Sequence, residues 1–282
     1  MRLKLVCCVS MKLYCDIWRV VLAIITPPMT MMRPYPPIAS DRSNKIWMCW
    51  WQGLDSAPEI VKACVESVRR NAGGREVIII TDKNVSNYVK FPSWIIKKID
   101  AGIITRTNLS DLLRLSLLAS YGGMWLDSTF YCVGSLDKSL YNGPIFSIKR
   151  PDYLHASVAG GMFAGYSLGC DDDHRRAFAT IRDFFLEYWR RNDFMVDYLL
   201  VDYLTVLAQR HDPWIAEAFN EIQPNNPDCD ELFKILDQPY DEDMWKRLSA
   251  HTDLFKLTWK QDFPVEHDGE KTFYGMLEGI GD

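Results

Sequence analysis

One stretch of the sequence limits the possible folds more than any other. It is a nearly all-apolar segment that ends in two glycines. Within it, Asp111 and Arg114 are three residues apart, so an α-helix would place both side chains on one face. Most of the neighbouring positions are Leu or Ala, which predicts that the helix is buried. Gly122 and Gly123 predict its end, because glycine accepts the left-handed conformation that closes many helices.

A carboxylate, Asp127, follows the apolar residues that come after the two glycines. Ligands of open α/β sheets usually bind at such strand ends. The charged pair of Asp111 and Arg114 would be costly on a buried helix unless it were paired or bound to a ligand. The sequence therefore predicts a binding site here. The alternative is that Arg114 and Asp111 only lock a core helix, which leaves Asp127 without a role.

The order of apolar and amphipathic segments predicts an α/β fold. Continuous apolar runs, typical of parallel strands, alternate with helical patterns. We therefore expect a mostly parallel sheet with helices on both faces, followed by a helical C-terminal half. The predicted strands are Lys45–Trp51, Glu76–Thr81, Met124–Phe130 and Pro144–Lys149, and the predicted helices, besides the segment with Asp111, are Ala57–Asn71, Trp94–Ala101, His174–Arg191 and Asp193–Arg210.

Composition and charge exclude several classes of protein. Hydrophobic residues make up 48% of the chain, which is enough for a large core and too much for a disordered protein. The net charge of −5 argues against nucleic-acid binding, which needs a basic surface. The chain contains neither a phosphate-binding loop nor a Rossmann glycine motif. Its eight cysteines form no C-x-x-C pair, which argues against a zinc ribbon and favours reduced thiols in a cytoplasmic protein.

The first 40 residues differ from the rest. Their apolar run, Ile17–Ile25, contains Arg19 and is too short to span a membrane. Five prolines between residues 27 and 37 predict a linker. We therefore expect an N-terminal extension and Pro-rich linker over residues 1–40 and one domain over 41–282. Residues 1–26 carry basic side chains that could hold the protein peripherally at a membrane surface; the alternative is a disordered or docked extension.

Two motifs around the predicted site resemble those of a known family. Ser110–Arg114 matches an S-D-x-x-R helix, and Gly122–Asp127 matches a G-G-x-[YW]-x-D turn and strand. Both are similar to motifs of the bacterial capsular polysaccharide synthesis proteins, relatives of glycosyltransferase family 32. The similarity covers roughly residues 45–260, including Ile46–Gly53 as an opening strand and loop and Lys256–Lys260 as a closing segment. The resemblance implies a GT-A-type glycosyltransferase domain over residues 41–282.

The resemblance also implies a reaction. The enzyme would move a hexose from a nucleoside diphosphate sugar to a carbohydrate or lipid-linked glycan acceptor in capsule biosynthesis, with retention of the anomeric configuration. Such transfer requires a neutralised diphosphate, an oriented donor and a positioned acceptor hydroxyl. Two alternatives stay open. One is a metal-dependent nucleotidyltransferase, and the other is a non-catalytic sugar-binding subunit of a polysaccharide assembly complex.

Several polar and aromatic residues receive donor-binding roles from the resemblance. Asp111 would contact donor hydroxyls, and Arg114 would contact the sugar or the diphosphate, which suits its planar fork. Tryptophan could stack on the base, an acidic residue could reach the base or ribose, and lysine could offset leaving-group charge. The predicted donor-binding residues are Trp50, Trp51, Asp82, Asp111, Arg114, Lys256 and Lys260.

Two further carboxylates, Asp197 and Asp202, lie in an apolar, aromatic segment predicted to be helical. Carboxylates are costly in such surroundings, and the resemblance places an acidic residue of this region on the acceptor side. Either one could position the acceptor hydroxyl, although they could also form the polar face of an ordinary helix. The predicted catalytic residues are Asp111, Arg114, Asp127, Asp197 and Asp202.

The resemblance further implies a divalent metal, manganese or magnesium, because these cations prefer carboxylate oxygen. The D-x-D motif of the wider superfamily is Asp127-Ser128-Thr129 here, so the second carboxylate is missing and the support for a metal is weak. The family often has a His directly before the first closing Lys, and this chain has Phe255 there. The predicted metal ligands are therefore Asp127 and the nearby His251.

Overall fold

The computed structural model describes residues 44–152 and 157–278. The predicted extension over residues 1–40, its boundary and the membrane contact through residues 1–26 all lie outside the described residues. Within the described ranges, no helix combines the length and the apolar character that crossing a membrane requires.

A five-stranded sheet in the order β2-β1-β3-β6-β5 forms the centre of the fold. Strand β1 pairs in parallel with β2 and β3, whereas β6 is antiparallel to both β3 and β5. Within this sheet β6 alone is reversed, so the predicted mostly parallel sheet is confirmed. The strands are β1 (Lys45–Cys49), β2 (Glu76–Ile80), β3 (Gly123–Leu126), β4 (Phe130–Cys132), β5 (Ile145–Ser147), β6 (Ser167–Cys170), β7 (Leu254–Lys256), β8 (Glu266–His267) and β9 (Glu270–Lys271).

Helices cover both faces of the central sheet, as predicted. Successive side chains of a strand point to opposite faces, and β1 shows the result. Ile46 and Met48 pack with α1, whereas Trp47 packs on the other side in the cluster that contains α3, α4 and α5. Most of the helices in the described part of the chain lie in its C-terminal half. They are α1 (Glu59–Arg70), α2 (Ser93–Asp100), α3 (Arg106–Tyr121), α4 (Arg175–Arg191), α5 (Leu200–His211), α6 (Pro213–Asn220), α7 (Glu242–Ser249) and α8 (Phe273–Glu278).

The buried helix predicted from the sequence is α3. It begins with a capping box in which the side chains of Thr105 and Asn108 bond to each other's backbone N–H groups, and this satisfies donors that a helix start otherwise leaves unpaired. It ends where the N–H of Gly122 donates to the Leu118 carbonyl at 2.9 Å. Gly122 and Gly123 have φ angles of +64° and +84°, which glycine adopts without a Cβ clash. The two glycines therefore turn the chain directly from α3 into β3.

The strand predicted over Met124–Phe130 is two strands in the structure. β3 ends at Leu126, and the Phe130 N–H donates to the Asp127 carbonyl at 3.1 Å across a tight turn. β4 then leaves the central sheet and pairs antiparallel with β7. The prediction of one strand was wrong because both halves are apolar, and the change of sheet depends on a partner strand far away in sequence.

The helix predicted over Asp193–Arg210 begins only at Leu200. The segment before it bonds to side chains instead of forming helical hydrogen bonds. The Tyr188 hydroxyl donates to the Phe194 carbonyl at 2.7 Å and accepts from the Val196 N–H at 2.9 Å, and the Asp197 carboxylate accepts from the Leu199 N–H at 2.7 Å. Residues 193–199 are therefore a loop, and this loop lies over the cleft described next.

Candidate active site

A cleft of about 920 Å³ opens at the carboxyl ends of β1 and β3. The chain runs from β1 to β2 on one side and places β3 on the other side, so the cleft lies at the point where the strand order reverses. Open α/β sheets bind their ligands at such a point. Segments distant in sequence line the cleft, within residues 49–52, 106–114, 125–129, 161–166, 198–202 and 256–260.

Arg114 lies at the base of the cleft, surrounded by acceptors. Its Nη2 atom is 3.3 Å from Oδ1 of Asp111 and 3.2 Å from Oδ1 of Asp127. Its Nη1 atom donates to the Gly165 carbonyl, and its Cζ atom is 5.3 Å from the centre of the Trp125 ring. Arg114 is only 7% exposed and Asp111 only 5%. The structure therefore joins all three residues of the two sequence motifs in one buried ion-pair network.

Asp127 is the most accessible member of this network, with 30% of its side chain exposed. Its Oδ1 atom accepts both from Arg114 and from the indole N–H of Trp125, the latter at 2.9 Å. Its backbone N–H donates to the Tyr166 carbonyl at 3.1 Å. The carboxylate is therefore held through Oδ1, and Oδ2 is the oxygen that can bind a ligand in the cleft.

Asp202, near the start of α5, places a third carboxylate in this part of the cleft. A Cβ atom added to Gly165 would lie 2.9 Å from Oδ1 of Asp202 and 3.4 Å from Nη1 of Arg114, so both side chains lie beside a glycine that leaves them room. Burial raises the pKa of Asp202 to about 7 and the pKa of Asp111 to about 6, against the opposing effect of Arg114. Both carboxyl groups can therefore exchange protons near neutral pH, as acid–base catalysis requires.

A second wall of the cleft carries Lys256, at the end of β7. Its Nζ atom donates to the Thr129 hydroxyl at 2.5 Å and to the Leu257 carbonyl at 3.2 Å. No carboxylate of the described residues forms an ion pair with it. Lys260 is exposed and lines the same cleft. This wall therefore carries positive charge that the surrounding residues do not neutralise.

Trp51 and Trp50 line the cleft beside the N-terminal end of α3. The indole N–H of Trp51 donates to the Ser110 hydroxyl at 2.9 Å, and the guanidinium of Arg106 lies 5.1 Å from its ring centre. Trp50 packs edge-on against Trp259 with 5.5 Å between ring centres. Trp259 is exposed at the rim. Trp51 is thus fixed by bonds within the protein, whereas Trp50 and Trp259 form an aromatic wall.

Three predicted site residues lie outside the lining of the cleft. Asp82 binds Arg106 at 2.6 Å and reaches the cleft only through that side chain. Asp197 lies in the loop before α5 rather than in a helix, with its carboxylate bound to the Leu199 N–H. His251 is exposed after α7. The described residues contain no group of three His, Cys, Asp or Glu side chains that could hold a metal ion, and His251 does not line the cleft that contains Asp127.

The residue where the family often has a histidine, Phe255, is fully buried in the core beside Trp245. Residues alternate across a strand, so Phe255 points away from the face on which its neighbour Lys256 meets Thr129. In the described strand, this position therefore brings no histidine into the cleft.

Tyr198 is a cleft residue that the sequence did not reveal. The apolar, aromatic segment that contains it was predicted to be helical, yet Tyr198 is 70% exposed and lines the cleft. Its pKa is raised, first by partial burial and then by the negative charges of Asp111 and Asp127. No local signal marks it, because its exposure depends on the loop that replaces the predicted start of the helix.

Known glycosyltransferases are among the proteins that are similar to this chain. The O-glycosyltransferase braB of Annulohypoxylon truncatum is 27% identical over 115 residues, which is 38% of this chain and 27% of that protein. The chain thus matches about a quarter of the length of this relative. The solved structure named PaToxG Glycosyltransferase superposes with a TM-score of 0.41 at 14% identity, over 74% of this chain and 81% of the other.

A family model described as "Capsular polysaccharide synthesis protein" matches residues 33–277. The matched range contains α3, the turn after β3 and every residue that lines the cleft. It also covers most of the chain, so the resemblance that rested on a few motifs is confirmed. The chain belongs to the capsular polysaccharide synthesis protein family.

Proposed function

We propose that this protein is a glycosyltransferase that moves a hexose from a nucleoside diphosphate sugar to a carbohydrate or lipid-linked glycan acceptor. One observation supports this most: the cleft joins a carboxylate-rich wall at Asp111, Asp127 and Asp202 to a cationic wall at Lys256 and Lys260. A nucleotide sugar has the matching division, with hydroxyl groups at one end and a charged diphosphate next to it. The volume of about 920 Å³ also lies within the usual range for ligand sites.

The carboxylate wall suits a sugar. Buried carboxylates make strong, directional hydrogen bonds to hydroxyl groups, and Arg114 fixes their orientation. We assign Asp111 and Asp127 to the donor side and Asp202 to the acceptor side, where the exposed ring of Tyr198 supplies a surface on which a sugar can pack. Retention of configuration is the outcome that the family resemblance favours.

The cationic wall suits the leaving diphosphate. A lysine acts on phosphate as a point charge, and Lys256 is held in place by its two hydrogen bonds. Transfer to the acceptor is fast only when the charge that develops on the diphosphate is stabilised by groups already in position. Lys256 and Lys260 are the residues we assign to this task.

The manganese or magnesium ion expected from the sequence fits the cleft poorly. The motif supplies one carboxylate, and Oδ1 of Asp127 is already bound to Arg114 and Trp125. The Thr129 hydroxyl, at the place of the second carboxylate, accepts from the Lys256 ammonium group. These residues do not form a resident divalent-cation site, and the roles assigned above do not require one.

A donor-hydrolysis screen tests the proposal. The purified protein is incubated with individual nucleoside diphosphate sugars, with and without manganese, and the products are separated by chromatography. Slow release of free sugar and nucleoside diphosphate in equal amounts supports the transferase. Cleavage to nucleoside monophosphate and sugar 1-phosphate would indicate a nucleotidyltransferase instead. Saturable glycan binding without turnover of any donor would indicate a non-catalytic subunit.

A further inference from the structure

We propose that the Lys256 ammonium group takes the place of the divalent cation, so that the protein binds and neutralises the donor diphosphate without a metal. This inference rests on the proposed function, because it concerns the same cleft. It goes further by naming the group that carries the positive charge and by predicting that binding is independent of metal.

The fold fixes Lys256 beside the altered motif. Strand β4 pairs with β7 so that Phe130 lies opposite Lys256, and the Leu257 N–H donates to the Thr129 carbonyl at 2.9 Å. These backbone bonds hold residues that are 127 positions apart in sequence. The Nζ atom then donates to the Thr129 hydroxyl at 2.5 Å. The ammonium group therefore stands where a second carboxylate would bind a metal ion.

The charge of this ammonium group is available to a ligand. Both of its acceptors, the Thr129 hydroxyl and the Leu257 carbonyl, are neutral. A lysine ammonium has three N–H donors, so one donor remains after these two bonds. The rings of Phe130 and Tyr166 lie 5.9 Å from Nζ and bring no opposing charge. An anion entering the cleft thus meets a positioned cation with a free donor.

A metal ion would compete with this arrangement rather than complete it. A divalent cation bound to Asp127 and Thr129 would lie next to the ammonium group, and like charges at such distances repel strongly. Replacing the hydroxyl by a carboxylate would instead pair with Lys256 and neutralise it. Thr129 and Lys256 therefore suit each other, because the hydroxyl holds the ammonium group in place without cancelling its charge.

The chemical step balances without a metal. The bond between the anomeric carbon and the diphosphate oxygen breaks, and its electron pair stays on that oxygen. The diphosphate gains one negative charge, which pairs with the Lys256 ammonium. The acceptor oxygen forms the new bond to the anomeric carbon, and its proton passes to a carboxylate of the cleft.

Calorimetric titration of nucleoside diphosphates tests the proposal. UDP, GDP, ADP and CDP are titrated into the wild-type protein in EDTA and in manganese, and the tightest binder is used for the variants. We expect wild-type affinities in the two buffers to agree within about threefold. Lys256→Met should weaken binding about tenfold or more in EDTA, as the loss of a charged hydrogen bond predicts. Lys256→Arg, which keeps the charge, should restore much of it.

The matched control is Lys246→Met, because Lys246 is exposed on α7 and pairs with Glu242 outside the cleft. It should bind as the wild type does. Two results would overturn this inference and leave the transferase proposal standing. One is that the wild type binds the diphosphate only with manganese, and the other is that Lys256→Met binds it in EDTA with unchanged affinity. Absence of diphosphate binding in both buffers would overturn both proposals.

A double substitution gives a second, opposite test. Thr129→Asp combined with Lys256→Met rebuilds two carboxylates around a site without the ammonium group. Diphosphate binding by this variant should become dependent on manganese, with at least about tenfold tighter binding in its presence. A cooperative thermal transition checks that the variant is folded. If a folded double variant binds equally with and without manganese, Lys256 does not stand in for the cation.

Discussion

Arg114 and Lys256 are two of the basic residues that line the cleft, and the protein surrounds them differently. Arg114 is nearly inaccessible and contacts Asp111, Asp127 and the Gly165 carbonyl. Within the described residues, the hydrogen-bond acceptors of Lys256 are both neutral oxygens. The charge of Arg114 is therefore used within the protein to orient carboxylates, whereas the charge of Lys256 remains for a ligand. We therefore propose that the motif arginine acts by positioning the carboxylates, whereas the family resemblance implies a direct contact with the sugar or diphosphate.

The same difference extends to the two walls. Asp111 and Asp127 share the guanidinium of Arg114, and Asp202 adds a third carboxyl group nearby. This wall therefore carries excess negative charge, which the raised pKa values of Asp111 and Asp202 reduce near neutral pH. The wall with Lys256 and Lys260 carries excess positive charge. A ligand with hydroxyl groups at one end and a diphosphate next to them would match both walls. Such complementarity contributes to specificity as well as affinity.

The largest effect that we predict concerns stability. Arg114→Ala leaves buried carboxylates without their partner and should reduce the free energy of unfolding by roughly 3–5 kcal/mol. Lys256→Met removes hydrogen bonds to neutral oxygens and should cost only about 1 kcal/mol. Urea denaturation of both variants at neutral pH measures the difference. Equal losses would show that the two cations have the same structural role, which would break the comparison.

The next effect concerns turnover. Asp127→Asn keeps the shape and the acceptor for Arg114 and Trp125, but it removes the charge at the one accessible carboxylate. We expect turnover to fall about 100-fold, the size of effect seen when a group that stabilises a transition state is lost, with a small change in melting temperature. The control is Asp237→Asn, at an exposed position outside the cleft. Unchanged turnover of Asp127→Asn would remove Asp127 from the chemistry.

The sequence predicted the carboxylate wall, which contains Arg114, better than the cationic wall, which contains Lys256. The reason is physical. The end of α3, the turn at Gly122 and Gly123 and the position of Asp127 follow from local patterns: apolar burial, glycine conformation and the end of a strand. These patterns lie within about one helix and one strand, so a reader of the sequence can combine them. The mostly parallel sheet with helices on both faces was predictable for the same reason.

The contact between Lys256 and Thr129 was not predictable in this way. It depends on the pairing of β4 with β7, and the apolar pattern gave no sign that the chain leaves the central sheet after Leu126. Tyr198 was missed for a similar reason. Side chains of α4, among them Tyr188, bond to the segment before α5 and prevent it from being helical. Tertiary contacts decided both features.

The smallest effect that we predict is a pH dependence of stability, and it arises from Asp202 in the carboxylate wall. Burial raises the pKa of Asp202 to about 7 from a usual value of 3.8, so the folded protein holds this proton more tightly than the unfolded chain does. The resulting stabilisation is complete below about pH 4 and is lost as the pH rises through about 7. Above that pH the folded protein carries a buried negative charge that Arg114, already shared with Asp111 and Asp127, only partly offsets.

Asp202→Asn resembles the protonated form at every pH, so its effect on stability should change with pH. We expect its advantage in stability over the wild type to grow by roughly 2–3 kcal/mol between pH 5 and pH 8, as measured by urea denaturation at the two pH values. Asp237→Asn, at its exposed position, should show no such difference. A variant that is less stable than the wild type at pH 8 would mean that ionised Asp202 is a full partner of Arg114. In that case the carboxylate wall would not hold surplus negative charge, and the contrast with Lys256 would rest on geometry alone.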